Sequence, residues 1–239
     1  MQEHHLDIPT ADGTMNSFIV HPEEGGPHPV ILFLMDAPGY REELRTMARR
    51  LASTGYYVIL SQLYYRQVRE FNVFETGDRD RMFELMGHLS NDRVDRDAAA
   101  MLTHADADPA ADASRVGVVG YCMSGPFALS IADTHSDRVK AAASIHGVAL
   151  VTDQPDSPHA RLGAMSGEIY VGCAETDAYA PPEMIDAFEQ AIADTGANGR
   201  VEWYPGTEHG FAFAERPVYD QEASERHWER LHALFQRNL

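Results

Sequence analysis

The sequence predicts an α/β protein with a mostly parallel, doubly wound sheet and helices on both faces. Short apolar segments alternate with helical segments along the 239 residues, which is the pattern of such a sheet. Residues 29–35 are apolar throughout, as expected of a strand that is buried on both faces of a parallel sheet. The chain has no internal repeat and no long Gly/Ser linker, so we expect residues 1–239 to form a single domain.

Local signals place the elements in order along the chain. Asp12-Gly13 marks a turn between two short strands, predicted at 5–8 and 15–21. A helix predicted over 42–54 ends at a glycine, which is a natural C-cap. Further short strands are predicted at 56–60, 116–121, 141–145, 169–173 and 201–204. Further helices are predicted at 92–106, 126–134, 183–195 and 220–237.

Composition excludes several function classes. The formal net charge of −18 argues against nucleic acid or an anionic membrane surface as a partner. No apolar run approaches the ~20 residues that a membrane-spanning helix needs. Residues 1–5 lack the basic and apolar parts of a signal peptide. The two cysteines do not make a disulfide framework, so we expect a reducing, cytoplasmic setting.

The strongest functional signal is a strand that ends beside a single cysteine and turns into an apolar helix near Pro126. Gly120 and Ser124 place small residues two positions either side of Cys122, as in the nucleophile elbow of α/β-hydrolases. A lone cysteine usually packs in a core, but a packing cysteine needs no small flanking residues. Ser124 is a rival nucleophile whose own flanks fit the elbow less well. The context therefore favours Cys122 as a nucleophile.

Other polar residues also follow predicted strands at their carboxyl ends, where parallel sheets bind ligands. Asp177 and His209 follow Cys122 along the chain, in the nucleophile–acid–histidine order of α/β-hydrolases. We expect His209 to take the thiol proton and later deliver a proton to the leaving group. Glu175 competes with Asp177 as the acid, and Asp177 is favoured because it lies just before the next loop and helix. His146 precedes the acid and is predicted to be structural or pocket-lining.

The chain resembles the dienelactone hydrolase family over nearly its whole length. The matching segments are Leu63-Tyr64, Gly120-Tyr121-Cys122, Asp177 and Glu208-His209-Gly210-Phe211. The resemblance implies an α/β-hydrolase fold, a triad of Cys122, Asp177 and His209, and no cofactor or metal. It also implies hydrolysis of an enol-lactone or a similarly activated ester through a thioester. The backbone N–H groups of Ala37 and Met123 would form the oxyanion hole.

Two departures from the family pattern leave alternatives open. Asp36 stands where the family commonly carries a glutamate that helps to generate the thiolate, so Asp36 either does that work or anchors its loop. The family's substrate-binding arginine after the histidine is replaced by alanine and phenylalanine. Arg81 is the remaining candidate to bind a substrate carboxylate. Alternatively, Arg81 pairs with acidic neighbours on its own helix. Tyr121 and Phe211 are further candidates for substrate contact.

The leading hypothesis is a hydrolase of a small activated ester or lactone, with a homodimer as a candidate assembly. The alternatives are a general carboxylesterase or thioesterase, or a non-catalytic protein with a reactive thiol. An acid and a histidine in the right order argue against the last, because a redox sensor needs only a thiolate. The net charge of −18 also predicts a preference for neutral substrates. Long loops over 64–81 and 148–167 are predicted to cover the site.

Overall fold

The computed structural model describes all of residues 1–239, and it contains two compact units, Met1–Gly117 and Val118–Leu239. The boundary between the units falls inside the fifth strand, so this strand contributes residues to both of them. The single-domain expectation therefore stays a prediction.

The strands and helices alternate along most of the chain, as the sequence predicts. The strands are β1 (Gln2–Thr10), β2 (Gly13–His21), β3 (His28–Leu34), β4 (Tyr57–Ser61), β5 (Ala111–Tyr121), β6 (Val139–Ile145), β7 (Glu168–Thr176) and β8 (Gly199–Glu208). The helices are α1 (Glu42–Ala52), α2 (Val73–Thr76), α3 (Arg79–Gly87), α4 (Asn91–Ala107), α5 (Gly125–Thr134), α6 (Pro158–Arg161), α7 (Pro182–Thr195) and α8 (Gln221–Asn238). None of these helices combines the length and the apolar character needed to cross a bilayer.

In the first unit, an antiparallel hairpin leads into parallel strands. β1 and β2 pair antiparallel up to the Thr10–Gly13 register pair, and Gly13 has a positive φ of 139° that glycine tolerates. β2 pairs antiparallel with β4, and β3 pairs parallel with β4. The strand order is β1-β2-β4-β3, followed by β5. The interior of β3 is fully buried, which agrees with its continuous apolar sequence.

In the second unit, the strand order is β5-β6-β7-β8, and β6, β7 and β8 pair parallel. The last paired residues of β7 and β8 are Thr176 and Glu208. The backbone N–H of His209 donates to the carbonyl of Thr176 at 3.2 Å. Asp177 and His209 therefore leave two neighbouring strands side by side at their carboxyl ends. A mostly parallel α/β fold is confirmed.

The two long loops predicted from the sequence are more structured than expected. The first contains α2 and the start of α3, and the second contains α6. Side-chain caps begin the first two of these helices, because Asn72 accepts from the N–H of Phe74 at 3.0 Å and Asp78 accepts from the N–H of Arg81 at 2.9 Å. These helices are too short or too polar to show a clear hydrophobic period, which explains why the sequence did not predict them. That the two segments cover the site stays a prediction.

Candidate active site

The chain turns sharply where β5 meets α5. A 3-10 turn over Cys122–Ser124 joins the two elements, and Cys122 has a φ of 55°, in the left-handed region that non-glycine residues rarely adopt. Such a strained backbone at a strand-to-helix turn is the geometry of a nucleophile elbow. Cys122 is half-buried whereas Ser124 is fully buried, so the turn presents the thiol and not the hydroxyl.

Small residues allow this turn to close. A Cβ atom at Gly120 would come well inside 3.0 Å of the carbonyl oxygen of Ser124. A Cβ atom at Gly125 would also come within 3.0 Å of Ser144 and of Gly147. The predicted need for small residues around the cysteine therefore has a direct steric cause.

Three side chains form one hydrogen-bonded row at the carboxyl ends of β5, β7 and β8. The Nε2 atom of His209 lies 3.1 Å from the Sγ atom of Cys122. The Nδ1 atom of His209 lies 2.6 Å from the Oδ2 atom of Asp177. The structure thus brings together Cys122, His209 and Asp177, which are far apart in the sequence.

The carboxylate of Asp177 is held by its own loop. Its Oδ1 atom accepts hydrogen bonds from the backbone N–H groups of Tyr179 at 2.9 Å and Ala180 at 3.1 Å, which leaves Oδ2 for His209. Glu175 instead accepts from the N–H of Gly206 at 2.6 Å and is exposed. Of the two acids that the sequence leaves in competition, only Asp177 contacts the histidine.

The surroundings of His209 favour its charged form. Burial alone would lower the pKa of His209, but hydrogen bonds to Asp177 and Cys122 outweigh burial and raise the pKa to about 9. At neutral pH the side chain is therefore an imidazolium, which can donate from Nδ1 to the carboxylate and from Nε2 to the sulfur.

A second histidine, His146, packs against His209 from the interior. His146 is 1% exposed, has a φ of 38°, and neither of its ring nitrogens has a hydrogen-bond partner. Its ring centroid lies 4.9 Å from that of His209, and its other ring neighbours are Tyr121, Phe211 and Phe213. Burial, with the nearby charge of His209 and His227, lowers the pKa of His146 well below its ordinary value. His146 is therefore a neutral, buried polar ring, and an uncompensated group of this kind costs stability.

This burial predicts a pH-dependent contribution to stability. In the unfolded chain His146 takes up a proton below about pH 6.5, whereas in the folded chain it does not. The free energy of unfolding should therefore fall as the pH falls through this range. We expect His146→Phe, which keeps a ring and removes the titration, to flatten that decline by up to about 1.4 kcal/mol per pH unit.

Urea denaturation between neutral pH and pH 5 would measure the effect. The exposed His88, changed to phenylalanine, is the matched control and should leave the slope unchanged. Equal slopes for the wild type and His146→Phe would show that His146 takes up its proton in the folded protein as well.

Asp36 lies in the first unit and is fully buried. Its Oδ1 atom forms an ion pair with Nη1 of Arg41, and its Oδ2 atom accepts from Nη2 of the same arginine at 3.2 Å. Nη1 of Arg41 also donates to the carbonyl of Gly39 at 3.0 Å. The carbonyl of Ala37 accepts from the hydroxyl of Tyr64 at 3.0 Å. These contacts favour the loop-anchoring alternative for Asp36 and fix the backbone that carries Ala37.

The three candidate substrate-binding residues each have partners within the protein. Arg81, on α3, forms an ion pair with Glu84 at 2.6 Å, which supports the alternative that it pairs with an acidic neighbour and not with a substrate carboxylate. Tyr121 and Phe211 are fully buried. The hydroxyl of Tyr121 lies 3.2 Å from Nε2 of His227, and the ring of Phe211 packs against Tyr204. Both aromatic rings are core residues here, so substrate contact by them is not supported.

Sequence reasoning missed Tyr179. This residue lies two positions after Asp177 and is 57% exposed, and its ring centroid is 5.1 Å from that of His209. A single tyrosine in a loop has no periodic pattern that would mark it. No group of three or more His, Cys, Asp or Glu side chains is arranged to hold a metal ion.

Comparison with known proteins gives consistent matches. The family model for the dienelactone hydrolase family matches residues 15–239. A protein of Methylorubrum extorquens named "Putative carboxymethylenebutenolidase" is 29% identical over 236 residues, which cover 96% of this chain and 79% of that protein. A Synechocystis protein of the same name is 26% identical over 238 residues, which cover 98% of this chain and 96% of that protein.

A solved structure has the same fold. The crystal structure of a "Putative Dienelactone Hydrolase" from Klebsiella pneumoniae superposes with a TM-score of 0.90 at 24% identity. The superposition covers 99% of this chain and 98% of that one. The α/β-hydrolase fold predicted from the elbow is confirmed.

Proposed function

Because the chain belongs to the dienelactone hydrolase family, we propose that Cys122, His209 and Asp177 are the catalytic triad of a hydrolase of activated carboxylic esters or enol-lactones. Membership of the family makes the protein a dienelactone hydrolase-like ester hydrolase. The observation that supports the triad is the hydrogen-bonded row in which His209 lies 3.1 Å from Sγ of Cys122 and 2.6 Å from Asp177.

The position of His209 supports a nucleophile that attacks as a thiolate. Its Nε2 atom lies 3.1 Å from Sγ of Cys122, so the imidazolium is placed to stabilise the sulfur anion and to give its proton to the leaving group. His209 then acts first as an acid rather than as a base.

In the acylation step, the thiolate of Cys122 attacks the carbonyl carbon of the ester and forms a C–S bond. The tetrahedral intermediate collapses, the C–O bond to the leaving group breaks, and Nε2 of His209 delivers its proton to the leaving oxygen. The N–H of Met123, the residue after the nucleophile, would stabilise the oxyanion.

In the deacylation step, the neutral His209 takes a proton from water, whose oxygen attacks the thioester. The C–S bond breaks, the thiolate returns, and the carboxylic acid leaves. Asp177 stabilises the imidazolium that re-forms. One ester and one water thus give one acid and one alcohol.

The nucleophile restricts the substrates. A thiolate is a better leaving group than an alkoxide, so the tetrahedral intermediate of an ordinary ester would return to reactants. Enolate and phenolate leaving groups avoid this reversal. The ion pair of Arg81 with Glu84 and the net charge of −18 further support neutral esters over those that carry a carboxylate.

A matched pair of substrates tests this function: p-nitrophenyl hydrogen adipate and its methyl ester. We expect continuous turnover of both, with a severalfold higher kcat/KM for the neutral methyl ester at low ionic strength. Acid quenching during turnover should leave one acyl group on Cys122, detected by peptide mass spectrometry.

Two outcomes would contradict parts of the proposal. A single stoichiometric burst without a steady rate would favour the reactive-thiol protein over the enzyme. A higher kcat/KM for the anionic ester, lost in Arg81→Ala, would assign Arg81 to the substrate and restore an anionic lactone as the substrate.

A further inference from the structure

The loop after Asp177 exposes an aromatic ring beside the proposed catalytic histidine. Tyr179 is one of four large hydrophobic side chains that are exposed, together with Met1, Phe74 and Phe83. Its ring meets that of His209 edge to face, with centroids 5.1 Å apart and an interplanar angle of 64°. Tyr179 is 57% exposed, so it remains available for contact with a ligand.

The backbone of Tyr179 is held in place although its side chain is exposed. Its N–H donates to Oδ1 of Asp177 at 2.9 Å, so the residue is tied to the same carboxylate that binds His209. Two prolines, Pro181 and Pro182, follow it and begin α7. Because its attachment is fixed, the ring presents a defined surface at low entropic cost.

The arrangement around His209 determines which part of a substrate lies near this ring. The acyl carbon must bond to Sγ of Cys122, whereas the leaving oxygen must come within hydrogen-bond distance of Nε2 of His209. His146 covers the buried side of the His209 ring at 4.9 Å. Tyr179 is the exposed ring that packs against His209, and it is therefore the aromatic surface available to a leaving group at this histidine.

We propose that Tyr179 is a specificity-determining residue that recognises the leaving group and selects esters of planar, π-rich alcohols, namely phenols and enols. This inference rests on the function proposed above and deepens it. An aromatic pair at such a site supplies about a two- to tenfold preference. Phenolates and enolates are also stabilised leaving groups, which a thiolate nucleophile favours over ordinary alkoxides, so the contact and the chemistry select the same substrate class.

Phenyl acetate and trifluoroethyl acetate provide the test, because both give the same acetyl thioester on Cys122 and differ only in the leaving group. We expect Tyr179→Ala to lower kcat/KM for phenyl acetate about two- to tenfold and to leave that for trifluoroethyl acetate unchanged. Tyr179→Phe should retain the preference, and Tyr179→Leu should lose it as alanine does. Phe83→Ala removes a ring that is 49% exposed on α3 and should change neither substrate.

Other results would overturn the assignment. An equal loss for both acetates would mean that Tyr179 acts only by orienting His209, and no loss would mean that the leaving group does not touch it. If Cys122→Ala hydrolysed both acetates at the wild-type rate, the proposed function itself would fail, whatever Tyr179 does. Thermal unfolding of each variant separates a folding defect from a loss of recognition.

Discussion

Cys122→Ala is expected to reduce the steady-state hydrolysis of an activated ester by about 10⁴-fold or more, as removal of a nucleophile does in serine hydrolases. The substitution deletes the Sγ atom that lies 3.1 Å from His209, so no C–S bond can form. The fold should persist, because alanine is smaller than cysteine and pays a similar backbone cost at a φ of 55°. Initial rates together with far-ultraviolet circular dichroism measure both effects.

Cys122→Ser is expected to be strongly impaired as well. A hydroxyl is a much weaker acid than a thiol, so a site arranged around a thiolate is not suited to deprotonating it. Wild-type-like activity in Cys122→Ala would contradict the proposal, since it would show that the reaction needs no covalent bond to this residue. The double variant Cys122→Ala, Ser124→Ala would then test the buried neighbouring hydroxyl.

Asp177→Asn should cost activity heavily, by about 10⁴-fold if it follows the serine protease precedent. An amide cannot stabilise the imidazolium as a carboxylate does, and its NH₂ group would face the Nδ1–H of His209. The pKa of His209 should fall in this variant, because the hydrogen bond to Asp177 is one of the contacts that raise it. A pH profile of kcat/KM would record that shift alongside the loss of rate.

Glu175→Gln is the matched control, an acid-to-amide change two residues away. In the wild type the carboxylate of Glu175 accepts a hydrogen bond from the backbone N–H of Gly206 and does not contact His209. A glutamine oxygen can accept the same hydrogen bond. We expect its kcat/KM to stay within about twofold of the wild type, as for surface changes that break no buried network. If Glu175→Gln lowered kcat/KM more than Asp177→Asn does, Asp177 would not be the acid of the triad.

The sequence predicts the elements that place the site, because each of them has a strong local pattern. The end of β5, the turn at Cys122 and the helix that follows are set by small residues at fixed spacing. Asp177 and His209 directly follow β7 and β8. Because the carboxyl ends of parallel strands meet at one edge of a sheet, the sequence alone predicts that these two side chains lie close together.

Other features depend on side-chain conformations that no local pattern fixes. Asp36 pairs with Arg41, five positions away, and Arg81 pairs with Glu84, three positions away, and for each residue the sequence left two roles open. His146 follows β6 as an ordinary loop residue would, and only the structure shows its packing against His209. Tyr121 and Phe211 flank catalytic candidates in sequence, yet their rings turn inward to the core.

The elbow also bears on how this scaffold could change during evolution. The steric limits of the turn fall on Gly120 and Gly125, whose missing Cβ atoms leave room for Ser124, Ser144 and Gly147. The side chain of Cys122 is half-buried, and serine differs from cysteine only in the atom that the turn presents. A single nucleotide change can convert a cysteine codon into a serine codon, so a lineage can exchange the reacting atom while its backbone stays the same. The turn needs glycine at both neighbouring positions whichever nucleophile it carries, and only the proton chemistry of His209 and its partners would have to change with the new nucleophile.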